Sequence, residues 1–229
     1  MVAPYYHLYN HPSPPTLMMV TTSKDPLRLS EFEDSEDIEL SPRDYGILQA
    51  IQEEGLTVFS FDGVKRLVGV HQEMLSRILT RLEDEGLLER VAEGYRLTPK
   101  AAHLLRPMSF AAPRVPIVQS LLPQDVNMQE IITGLKGRWF GSLRWLGYTQ
   151  NEEGTTLKWI TDEENLQIDA KFTDTYLSIE AKIPEGKDSS KAVRAAHQLL
   201  GHVSRLYGGP HRPKGFARPV IFYPNTEFA

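Results

Sequence analysis

Between residues 72 and 81 the chain reads QEMLSRILTR, and five of its side chains have the chemistry to read a nucleic acid. Arg77 and Arg81 each offer a planar fork of donors that matches the two acceptors of guanine, Gln72 can pair with adenine, and the Ser76 and Thr80 hydroxyls suit either base or phosphate. Lys65 and Arg66 upstream, and Arg90 and Arg96 downstream, supply cations for the sugar-phosphate backbone or the minor groove. The alternative use of the same arginines is a solvated face. There Arg77 and Arg81 pair at i,i+4 spacing with Glu73, Asp84 or Glu85, and Arg90 pairs across its hairpin.

These residues need a scaffold, and the surrounding sequence supplies the signals for one. Ser41 and Pro42 open a helix in SPRDYGILQAIQEEG that places Tyr45, Ile47, Leu48 and Ile51 on one side and stops at Gly55. VFSF (58–61) follows as a short strand or entry segment, DGVKRLVGV (62–70) is a short second helix, and Gly69 gives the turn into a third. In that third helix, about 71–85, Leu75, Ile78, Leu79 and Leu82 form one stripe. Glu73, Arg77, Thr80 and Asp84 lie opposite, so one face packs and the other is free. Gly86 ends it, LLERV and GYRLT alternate as two strands of a hairpin, and Thr98-Pro99 start a further helix. His71, at the entry to the third helix, fits a cap or a phosphate contact.

The run LSRILTRLEDEGLLERVAEGYRLTPKAAHLL (75–105) resembles the recognition helix, wing and following helix of MarR-like winged helix-turn-helix regulators. Ser76-Arg77, Leu82-Glu83, Gly86-Leu87 and Tyr95, Leu97, Thr98 match the pattern of that superfamily, while Ala101 stands where a glycine is usual. The likeness is confined to residues about 41–106. It implies a DNA-binding transcription regulator that works as a homodimer, with the third helix in the major groove and the hairpin as the wing.

The second half has a different pattern. PMSFAAPRVPIVQSLLPQD holds four prolines and reads as a linker over 107–125. NMQEIITGL suits a short helix, and strands are expected at 138–149, 155–161, 166–172 and 176–183, separated by NEEG, DEEN and TDT turns. Leu166, Ile168, Ala170 and Phe172 face one way with Leu177, Ile179, Ala181 and Ile183. Gln167, Asp169, Lys171, Ser178, Glu180 and Lys182 face the other, wet side. SSKAVRAAHQLLGHVSRLY carries Ala192, Val193, Ala196, Leu199, Leu200, Val203 and Tyr207 at helical spacing, suited to cover the apolar face or, alternatively, a partner subunit.

The expected fold is therefore α+β: a winged helix-turn-helix, then a four-stranded antiparallel meander covered by one long helix. The expected divisions are an acidic arm (1–40), a DNA-binding domain (41–106), a proline-rich linker (107–125), an α+β domain for dimerisation, sensing or partner binding (126–207), and a basic tail (208–229).

Charge and composition bound the rest. The chain has 229 residues, a net charge of −5 and no cysteine, which removes disulfides, thiolate metal sites and cysteine nucleophiles. EFEDSEDIE (31–39) holds six acids, whereas Lys187–Thr226 holds seven Lys/Arg against Asp188 alone. Residues 41–106 hold nine Lys/Arg and ten Asp/Glu, too nearly neutral for a large phosphate contribution from one copy, which again favours two copies on DNA. No apolar run is long enough for a membrane helix. A soluble cytoplasmic or nucleoid-associated protein without membrane contact is the expectation.

Other chemistry is sparse. His197 and His202 are five apart and do not share a helical face, so no metal site or cofactor is expected. DEEN reads as a turn rather than an acid/base pair, and no residue set suggests an enzyme. Trp139, Trp145 and Trp159, with Phe140 and Tyr148, are either core or the lining of an effector pocket. The reading that follows is a sequence-specific transcription regulator on double-stranded DNA, with a small molecule or a protein as effector at the C-terminal half. The alternative is a winged-helix module for protein interaction or chromatin architecture in a larger assembly.

Overall fold

Local signals set the first helices. In the computed structural model, which describes residues 40–105, 113–122, 126–162, 166–207 and 220–221, the Ser41 hydroxyl accepts the Asp44 amide at 3.2 Å and starts α1 (Pro42–Glu53). A strand of two residues, β1 (Val58–Phe59), follows. The Ser60 hydroxyl then accepts the Gly63 amide at 3.0 Å to open α2 (Phe61–Val68), and Gly69, at φ 64°, ends it. Next comes α3 (Gln72–Asp84), whose stripe of Leu75, Ile78, Leu79 and Leu82 is buried. His71 holds its N-cap position without a side-chain cap bond.

Gly86 at φ 68° turns the chain into β2 (Leu88–Val91) and β3 (Gly94–Leu97), and Thr98 caps α4 (Pro99–Leu104). Beyond it lie β4 (Val115–Leu121), α5 (Met128–Leu135), β5 (Leu143–Asn151), β6 (Gly154–Thr161), β7 (Gln167–Phe172), β8 (Tyr176–Lys182), α6 (Ser189–Tyr207) and β9 (Val220–Ile221).

Among the described residues the strands join one antiparallel sheet of nine, ordered β2-β3-β1-β5-β6-β7-β8-β4-β9. This corrects the expectation of a C-terminal domain built on a four-stranded meander under a long helix. The meander exists as β5 to β8, but both its edges are occupied. On one side β1 pairs with β5 (Val58 opposite Tyr148, Phe59 opposite Gly147) and also with β3 (Val58 opposite Arg96, Phe59 opposite Tyr95), so the hairpin of the N-terminal helices continues the sheet. On the other side β4 pairs with β8, and β9 with β4.

The segment expected as a linker thus contains a strand. Its prolines concealed that, and the sheet accommodates Pro116 at a register shift between Pro116 and Val118, where the ladder gives up a backbone donor. The arm expected at 1–40 falls outside the described residues except for Leu40, and of the basic tail only 220–221 are described. Glu39–Ala229 forms one compact unit.

The main core lies between the sheet and helices α5 and α6. Ile168, Ala170 and Phe172 of β7 and Leu177, Ile179 and Ala181 of β8 meet Ile131, Ile132 and Leu135 of α5 and Ala192, Ala196, Leu199 and Val203 of α6. The opposite face is not the wet one the alternation suggested. Gln167, Asp169 and Lys158 are buried there, beneath Arg114 and the C-terminal end of α1.

Candidate nucleic-acid interface

The buried stripe of α3 turns Gln72, Ser76, Arg77 and Thr80 to solvent on one face. Lys65 of α2 joins them, its ammonium reaching the Gln72 amide oxygen at 3.4 Å. A shallow groove between the two helices, lined by Phe61, Lys65, His71, Gln72 and Ser76, runs alongside. Thr80 gives its hydroxyl proton to the Ser76 carbonyl at 3.0 Å. Arg77 is 72% exposed and forms an i,i+4 pair with Glu73 at 2.5 Å. Such exposed pairs are worth little, so both the solvated-face reading and the base-reading one fit this arginine.

The other expected contacts go elsewhere. Arg81, still 53% exposed, reaches across to α1: its guanidinium grips the buried carboxylate of Asp44 with two bonds, Nη2 at 2.6 Å and Nε at 3.3 Å, tying α3 to α1. Burial pushes the Asp44 carboxyl up, but the hydrogen bonds from Arg81 and Ser41 and the Arg81 charge outweigh it and hold the group below the usual aspartate range. Arg66 also leaves the face. It pairs with Asp162 at 2.5 Å, donates to the Asp62 carbonyl at 3.0 Å and lies 5.7 Å from the Trp139 ring. Asp162 binds Arg144 through its second oxygen at 2.9 Å. The Arg66 hydrogen bond is the main reason its carboxyl is held low.

On the hairpin, Arg90 stacks on Tyr95 at 5.3 Å and pairs with Glu83 at 3.2 Å, and Arg96 pairs with its cross-strand neighbour Glu89 at 2.9 Å. Of the nine expected residues, Lys65, Gln72, Ser76, Arg77 and Thr80 share one face. Arg81 and Arg66 are held by acidic partners on other segments, and Arg90 and Arg96 stand apart on the hairpin.

The three tryptophans do not come together as a pocket lining. Trp145 and Trp159 are buried, meeting edge to face at 5.5 Å, while Trp139 is 57% exposed. The Trp159 indole N–H donates to the Arg138 carbonyl at 2.9 Å. His197 bonds the Val193 carbonyl and His202 lies 4.5 Å from the Phe140 ring, so each has a packing role.

Sequence reasoning missed the polar junction beneath α1. Glu54, 3% exposed, meets Arg114 at 3.2 Å and also binds Lys182, while Asp169 receives Arg114 at 2.8 Å, Lys158 at 2.7 Å and Gln167 at 2.9 Å. A buried carboxylate needs such partners. The only trace of it in the sequence was the polar half of the β7 and β8 alternation, which looks the same whether water or another chain segment covers it.

Compared with known proteins, the chain matches no family model, no curated protein and no solved structure. No helix among the described residues is long and apolar enough to cross a membrane.

Proposed function

We propose that this protein is a non-catalytic, sequence-specific regulator that binds double-stranded DNA through a winged helix-turn-helix, with α3 as the reading helix and β2–β3 as the wing. The observation that carries the reading is the α2–α3 face, where Gln72, Ser76, Arg77 and Thr80 stand in solvent on a helix anchored from behind by four buried apolar residues, with the half-buried Lys65 of α2 beside Gln72. A helix held in this way can enter a major groove without unfolding anything. The near-neutral charge of residues 41–106 makes a homodimer the economical form, since two copies double the phosphate contacts.

The test is a selection of bound duplexes from a random pool, followed by titrations across a salt series with Arg77→Ala. A base-reading Arg77 predicts a loss of about 1–3 kcal/mol on the selected sequence and relaxed preference at one position. Unchanged affinity overturns its role.

One observation favours a second reading, a winged-helix module for protein interaction or architecture. Each of Arg66, Arg77, Arg81, Arg90 and Arg96 already has an acidic partner within the chain. Absence of duplex binding at low salt selects that reading, and sequence-blind binding selects its architectural form.

A further inference from the structure

We propose that Trp139 is a stacking platform for an unpaired base beside the duplex that α2 and α3 hold; the proposal rests on the nucleic-acid reading above and extends it to the α5–β5 loop. Trp139 is not a core residue that failed to bury. The backbone is pinned on both sides of it: the Arg138 carbonyl accepts the Trp159 indole N–H, and Phe140, itself buried, exchanges backbone hydrogen bonds with Leu143 at 3.0 and 2.9 Å. Gly137 and Gly141, at φ 73° and 58°, make the turns that let Trp139 face outward between those anchors. A pinned loop presenting an indole 57% to water holds a flat apolar surface at little entropic cost on binding.

The surroundings suit a nucleic acid. The Arg144 and Arg66 guanidiniums lie over the ring, 4.9 and 5.7 Å from its centre, and both are held by the two oxygens of Asp162, so a base would stack on the part of the indole they leave open, beside guanidinium groups of set orientation. Residues 131–151 contain no Asp or Glu. Lys136 rests 3.8 Å over the Tyr148 ring instead of on a carboxylate, and Arg138 makes no ion pair among the described residues. Glu163 and Glu164, next to Asp162, lie outside the described residues.

The platform is joined to α2, the helix that carries Lys65. Arg66, beside Trp139, is next in the chain to Lys65, which reaches Gln72 at the start of α3. Indole rings and guanidinium planes among backbone-tracking cations are what stacks a splayed base irrespective of its identity.

The experiment compares the full chain, wild type and Trp139→Ala, on a blunt duplex and on the same duplex carrying a short unpaired tail. The tail is expected to tighten wild-type binding by roughly tenfold or more, within the range of one stacked base, and to quench the one exposed tryptophan. Trp139→Ala abolishes that gain and leaves blunt-duplex affinity within about twofold. Trp139→Phe, which keeps a ring, retains part of the gain and controls for folding.

Wild type binding both probes equally, or Trp139→Ala keeping the gain, overturns the platform and leaves the proposed function standing. Failure of wild type to bind either probe overturns both. A wild-type dimer that Trp139→Ala converts to monomer, measured by light scattering, assigns the ring to a protein contact and overturns the platform as well.

Discussion

Arg77 and Arg81 stand one helical turn apart and carry the same guanidinium, yet one points to solvent and the other is clamped to a buried aspartate. The clamp predicts a pH signature. Asp44 is held low in the folded chain, so its stabilising contribution is fully present above the ordinary aspartate value, about 3.9, and is lost as pH falls through the lower folded value. Asp44→Asn should therefore cost about 1–2 kcal/mol at neutral pH, and its melting curve should converge on that of wild type at low pH. A gap that stays constant with pH refutes the clamp. From the sequence, both arginines looked like outward-facing residues of one helix. Helical spacing fixes angular position, but Arg81 is decided by a partner 37 residues earlier, which no local pattern carries. The same holds for Arg66, whose partner Asp162 sits 96 residues away in a stretch that reads as a simple turn.

Elements with local causes were the readable ones. Ser41, Thr98, Gly69 and Gly86 each set a helix end through bonds or dihedrals within a few residues, and the chain before and after them shows it. The docking of α2 on β5 has no such local sign. It depends on Gly63, where an added Cβ would meet the Cα and carbonyl oxygen of Leu146 at 2.6 Å. Backbone cannot retreat as a side-chain tip can, so Gly63→Ala should destabilise by about 1–3 kcal/mol in denaturant titrations. The same change at Gly46, which has open space around it, should have little effect by comparison. Equal behaviour of the two variants refutes the close approach. Strand β4 escaped notice for the converse reason: Pro116 within it and the prolines on either side argue against a central strand, and the bulge that admits Pro116 is a property of its pairing with β8.

Across the whole molecule, the shared sheet and the Glu54–Arg114–Asp169 junction join the helices to the meander, together with the docking of α2 on β5 and the Arg66–Asp162 pair. Their combination predicts one cooperative unfolding transition for the described unit, seen alike by tryptophan fluorescence from the sheet and by helical circular dichroism. Glu54→Ala leaves Arg114 and Lys182 facing a buried gap. It should lower the midpoint of that single transition, by about 3 kcal/mol since both cations still reach water in part. Two separated transitions in wild type would show the halves to be independent. The four consecutive strands were legible because turn residues separate them and the last two alternate with period two in sequence. What flanks them was not, since edge pairing is chosen by segments far off in the chain.

Strand β1 is only Val58 and Phe59, yet it carries ladders on both sides, with the Thr57 amide bonded to Tyr148, the Ser60 amide to Leu146, and the Leu97 amide to Thr57. A one-residue slip along either ladder would swap the sheet faces on which Val58 and Phe59, both buried, now pack, so the register of each ladder is fixed by that packing. The small helices are thus tied to the broad sheet at this two-residue seam as well as at the Arg66–Asp162 pair and the Glu54–Arg114 junction. The placement of α3 is therefore a property of the sheet frame that α1, α2 and the hairpin share, and follows the twist of that sheet.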